Sequence, residues 1–83
     1  MPNHHARFDN SKRLQILVEI MADGKERTTL ELEQALRERG IINLAISPTI
    51  SELRTNGFPI PPARRIKGAE RPTWAYRMGR RPL

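Results

Sequence analysis

The chain has no cysteine, which excludes a disulfide framework and a thiolate metal site. Its two histidines, His4 and His5, are adjacent and cannot share one face of a regular element, so an imidazole metal site is not expected. No apolar run approaches the ~20 residues of a membrane span, and no apolar leader core follows the first residues. A soluble, cytoplasmic protein with no membrane contact is expected. The glycines occur singly and form no phosphate cradle. Carboxylates such as Glu31, Glu33 and Glu38 are scattered along helical positions, with no acidic pair for a metal and no nucleophile–base pairing. These absences point away from an enzyme, a cofactor and a small-molecule ligand. Aromatics are scarce too: only Phe8, Phe58, Trp74 and Tyr76. With Trp74 expected in the core, no exposed ring is left to stack on single-stranded bases, so RNA is not the expected partner.

Acidic charge is also nearly missing from one end. Residues 1–57 hold eight Lys/Arg and eight Asp/Glu, whereas 58–83 hold seven basic residues against Glu70 alone. The whole net charge of +6 therefore lies in the last third of the chain, which suits a polyanionic partner. Twelve of the fifteen basic residues are arginine, whose planar fork matches phosphate and guanine.

Eighty-three residues make one domain. The pattern predicts a disordered N-terminal arm over 1–10, a folded domain over 11–78 and a basic tail over 79–83. A first helix is expected over about Ser11 to Ala22. Its caps are Asp9, Asn10 or Ser11, and Leu14, Leu17, Val18 and Met21 form an i, i+3, i+4, i+7 stripe. Thr28-Thr29-Leu30-Glu31 reads as a capping box opening a second helix, with Leu32, Ala35 and Leu36 inward and Gly40 as its stop. Ser47-Pro48 reads as the N-cap and first position of a third helix, with Ile46, Ile50 and Leu53 inward and Gly57 at its end. Two short extended runs, Ala63 to Lys67 and Thr73 to Met78, bracket a turn at Gly68-Ala69-Glu70-Arg71-Pro72. Trp74, Tyr76 and Met78 alternate onto one face, expected to be the core face, together with Ile66. Arg65, Lys67 and Arg77 are expected to share the outward one.

Three helices followed by a C-terminal two-stranded basic hairpin is a mainly α layout with a small β-hairpin, that of a winged helix-turn-helix. Thr28-Thr29-Leu30-Glu31-Leu32-Glu33, Ile50-Ser51-Glu52-Leu53-Arg54-Thr55-Asn56-Gly57-Phe58-Pro59-Ile60 and Ala75-Tyr76-Arg77-Met78 carry a more specific likeness. The chain resembles small winged helix-turn-helix DNA-binding proteins of bacteriophages and prophages, in which a third helix of the form Ile-Ser-Asp-Leu-Arg precedes an aromatic Gly/Pro turn. It departs from that pattern at Ser47-Pro48, where the family continues the helix. The resemblance implies a DNA-binding accessory or transcriptional regulator from a mobile element, and excision factors share this fold and charge.

The expected partner is double-stranded DNA, bound by a monomer or a homodimer. Base contacts are assigned to the third helix through Thr49, Ser51, Glu52, Thr55 and Asn56, with Glu52 accepting from a cytosine amino group or balancing Arg54. Phosphate contacts are assigned to Arg54, Arg64, Arg65, Lys67, Arg71, Arg77, Arg80 and Arg81. The competing expectation is a winged helix that grips and inhibits an acidic protein.

Overall fold

The computed structural model describes residues 11–79. The arm expected over 1–10 and Arg80 to Leu83 of the expected tail lie outside them. The elements run α1 (Lys12–Met21), β1 (Arg27–Thr28), α2 (Thr29–Glu38), α3 (Ile46–Thr55), β2 (Arg64–Arg65) and β3 (Trp74–Tyr76). The strands form one antiparallel sheet in the order β1-β3-β2. The domain is therefore mixed α/β, and the expected two-stranded hairpin gains a third strand from the segment between α1 and α2. Two residues carry no readable alternation, and Thr28 does double duty as the end of β1 and the N-cap of α2.

Local chemistry explains the helix boundaries. Ser11 caps α1, its Oγ accepting from the Leu14 amide at 3.4 Å. The α2 capping box is complete: Thr28 Oγ1 accepts from the Glu31 amide at 3.2 Å, and Glu31 Oε1 accepts from the Thr28 amide at 2.8 Å. Both α2 and α3 end in a Schellman arrangement. In α3 the amides of Gly57 and Phe58 donate to the carbonyls of Arg54 and Leu53 at 3.0 and 3.1 Å. Gly57 takes φ +90° there, where a side chain would be strained, and Phe58 is carried into the core beside Leu53.

The start of α3 differs from expectation. Its N-cap is Ala45, without a side-chain bond, so Ser47 and Pro48 lie inside the first turn rather than at its edge. Proline is tolerated there because the first amides of a helix lack an intrahelical acceptor. Starting the helix at Ile46 completes an inward stripe of Ile46, Thr49, Ile50 and Leu53.

Leu14, Leu17, Met21, Leu32, Leu36, Ile50 and Leu53 make the fully buried centre, closed by Ile16, Ile46, Phe58 and Ile60. Val18, Tyr76 and Met78 pack against it half-buried. Two expected core residues do not belong to it: Ile66 is half-buried, and Trp74 is 46% exposed. Ala75, expected on the open face, is instead buried, because it sits opposite Thr28 on one side and Arg64 on the other.

Gly79, expected to begin a free tail, is tied back to the exit of α3. Its amide donates to the Pro59 carbonyl at 2.6 Å, and a Cβ on Gly79 would lie 2.7 Å from that oxygen. Because Leu53 is fully buried where α3 meets the core, Leu53→Ala is expected to cost ~2–5 kcal/mol in urea unfolding. An unchanged midpoint and slope would contradict this packing.

Candidate nucleic-acid interface

On α3 the exposed residues are Ser47, Pro48, Ser51, Arg54 and Thr55. Ser47, Ser51 and Thr55 follow i, i+4, i+8 and form one open row of small hydroxyls. Two of the five expected base-contact residues, Ser51 and Thr55, thus lie on the open face. Ser47 joins them; its assignment as a cap hid it, although the four-residue spacing was there to be read.

The other three are engaged within the domain. Thr49 is 2% exposed, and its hydroxyl donates to the Ala45 carbonyl at 2.6 Å, so it faces the core. Glu52 is engaged by α1. Its Oε2 lies 2.9 Å from Arg13 Nη2, with the carboxylate side chain only 14% exposed, and this pair ties α3 to α1. Asn56 caps the end of α3, its Nδ2 donating to the Glu52 carbonyl at 2.8 Å. Arg54, expected on phosphate, holds the chain leaving α3: Nε and Nη2 donate to the carbonyls of Ile60 and Pro61 at 3.0 and 2.9 Å.

The cations divide into neutralised and available groups. Arg13, Arg27, Arg39 and Arg64 are paired with Glu52, Asp23, Glu19 and Glu26. The Arg64–Glu26 pair is bidentate at 2.8 and 2.6 Å. These hydrogen bonds, opposed by slight desolvation and helped by the charges of Arg64 and Arg77, hold the Glu26 carboxyl below its ordinary value of 4.5. The hydrogen bonds from Arg27 hold Asp23 far below the usual carboxylate range in the same way. Both carboxylates stay ionised at neutral pH, so Arg27 and Arg64 are occupied.

Among the described residues, the exposed cations without an acidic hydrogen-bond partner are Arg65, Lys67, Arg71 and Arg77 on the short hairpin and Lys12, Lys25, Arg37 and Arg54 spread over the rest, Arg54 being held by carbonyls. Arg65, Lys67 and Arg71 line one hollow of about 350 Å³ at the hairpin tip, with Ile66, Gly68 and Ala69. Arg77 is not with them. Directly paired residues share a face, so Arg65 stands beside Trp74 and Arg64 beside Ala75, and alternation puts Arg77 on the Arg64 side. The influence of Arg77 on Glu26 agrees with that placement. The expected shared face of Arg65, Lys67 and Arg77 is thus corrected to a tip cluster of Arg65, Lys67 and Arg71. Arg80 and Arg81 lie outside the described residues.

Among the described residues no three His, Cys, Asp or Glu side chains come together, and no helix is long and apolar enough to cross a membrane. No protein-family profile, curated protein or solved structure matches the chain.

Glu52 separates a structural from a reading role. Removing it leaves the part-buried Arg13 guanidinium without its counter-charge, and Arg13 Nη1 is already buried without a hydrogen-bond partner. Glu52→Ala is expected to cost about 1–3 kcal/mol, between the exposed and fully buried limits for such pairs. Thermal or urea unfolding measures this, and full stability in the variant would release Glu52 from the structural role.

Proposed function

We propose that the chain is a winged helix-turn-helix protein that binds double-stranded DNA, with the hairpin tip on phosphates and the Ser47–Ser51–Thr55 row of α3 toward the major groove. The observation that carries this reading is the segregation of charge. Acids pair with Arg13, Arg27, Arg39 and Arg64, while Arg65, Lys67 and Arg71 stand together without acidic partners around one hollow. A cluster of that kind supplies affinity for a polyanion that is independent of sequence and sensitive to salt. The α3 row supplies little charge. Its short hydroxyl side chains let a helix approach a groove wall closely; Thr55 Oγ1, which donates to the Ser51 carbonyl at 3.1 Å, offers an acceptor to base edges, and the serines offer donors as well.

The order of elements supports the same reading: helix, short strand, two helices, then a hairpin that completes the sheet. The likeness of Ile50 to Ile60 to phage and prophage proteins supports a regulator or an excision accessory of a mobile element, acting on DNA in a bacterial cytoplasm.

The two surfaces predict separable defects. Replacing Arg65, Lys67 and Arg71 together by alanine is expected to weaken binding to every duplex alike. It should also flatten the log–log salt dependence by about 0.9 for every phosphate that is no longer neutralised. Replacing Ser51 or Thr55 is expected to change which sequence is preferred, by ~1–3 kcal/mol per base pair read, without altering that slope. Filter-binding titrations over a range of salt concentrations measure both. A triple variant with undiminished affinity and slope would remove the phosphate role and favour an acidic protein as the partner.

A further inference from the structure

Trp74 is the sole tryptophan, and it is the large aromatic that the core leaves out. It is not on a loose segment. Its strand is bonded on both edges: Trp74 pairs with Arg65 across β2, and its carbonyl accepts from Thr29 Oγ1 at 3.3 Å on the other side. The Ile66 amide donates to the Thr73 carbonyl at 2.8 Å, which makes that pair the hydrogen-bonded one. Arg65 and Trp74 are therefore a non-hydrogen-bonded pair, whose side chains stand closest. Arg65 is exposed and also lines the tip hollow with Lys67 and Arg71. A fixed, half-exposed indole thus stands beside a guanidinium at the edge of a cationic hollow.

The geometry points to a single-strand site at the hairpin tip: Trp74 stacks on an unpaired base while Arg65, Lys67 and Arg71 hold the adjoining phosphates. The ligand class is DNA with unpaired bases, such as a single strand, a frayed end or a bubble. A π-face beside a cationic track is the combination that binds single strands, because every base offers a face to stack and every linkage a charge. An apolar protein segment fits less well, since Arg65 stands beside the ring and the exposed residues of the hairpin include Lys67, Glu70 and Arg71. This inference rests on the nucleic-acid reading of the hairpin and adds the form of DNA that it prefers.

Because Trp74 is the only indole, its fluorescence reports this site alone. The test titrates the full chain with a short oligo(dT), following indole emission and the anisotropy of the labelled oligonucleotide. A random duplex is measured in parallel by anisotropy. Oligo(dT) is expected to quench Trp74. Trp74→Leu, which keeps an apolar side chain but has no face to stack, should weaken oligo(dT) binding by about 5- to 150-fold. Trp74→Phe should restore most of that affinity. Circular dichroism confirms that each variant is folded, and Arg65→Ala, which leaves the indole in place, should also weaken oligo(dT) binding. Indole emission unchanged at saturating oligo(dT), or Trp74→Leu binding as tightly as Trp74→Phe, would overturn the proposal. Duplex binding without a Trp74 effect sinks the stacking site alone. Oligo(dT) binding with quenching but no duplex binding sinks the duplex reading and leaves the stacking site standing.

Discussion

β3 is bonded along both edges, and that double pairing sets the position of everything outside the helices. Thr28 and Arg27 of β1 hold Ala75 and Tyr76 from one side, and Arg64 and Arg65 of β2 hold Ala75 and Trp74 from the other. The middle residue is an alanine, buried between its two neighbours. Alternation then sends Tyr76 and Trp74 to one face. Tyr76 reaches the helical core, whereas Trp74, two residues nearer the tip, extends past its edge. The far end of the segment is fixed as well, since Gly79 is bonded to Pro59 and Arg54 holds the carbonyls of Ile60 and Pro61. The end of the hairpin is thereby joined to the exit of α3 through Gly79, and that exit is itself held by Arg54.

Charge follows from the same architecture. Acidic residues are abundant in the first two-thirds of the chain, and the fold uses them where they stand: Glu52 joins α3 to α1, Glu19 meets Arg39 of the α2 terminus, and Glu26 reaches across to Arg64. The exposed pairs among them, Glu19–Arg39 and Glu26–Arg64, add little to stability. The larger effect of the pairs is to cancel the charge of Arg13, Arg27, Arg39 and Arg64, leaving Arg65, Lys67 and Arg71 as a cluster of unpaired cations at the tip. Field focused at one projecting end attracts a polyanion and orients it before any short-range contact forms.

Much of this was legible in local sequence. Caps at Ser11 and Thr28, glycine stops after α2 and α3, and the apolar stripes of all three helices are signals within one or two turns, and each stands where its residues indicate. Misses came from distance or from ends. β1 is two residues long and exists only because β3, nearly fifty positions later, supplies its partner. Reading Ser47 as a cap shortens α3 and conceals that Thr49 completes the inward row with Ile46, Ile50 and Leu53. The Arg13 partner of Glu52 lies 39 positions away, beyond any local pattern. Trp74 has the strand parity its sequence indicates, but parity does not say where the core ends. Of the candidate site, Ser51, Thr55, Arg65, Lys67 and Arg71 are on open surface, but the face shared by Arg65 is that of Trp74 and not that of Arg77, because the register of β2 on β3 is set by the length of the turn.

Chemical-shift mapping of the labelled chain against a random-sequence duplex at low salt tests the division of labour between tip and helix most directly. Perturbations should centre on the amides of Arg65 to Arg71 and on Ser47, Ser51 and Thr55, and the tip set should fade first as salt is raised. Perturbations confined to the outward face of α2 around Glu33 and Glu38, or an unchanged spectrum at saturating duplex, would contradict the proposed interface.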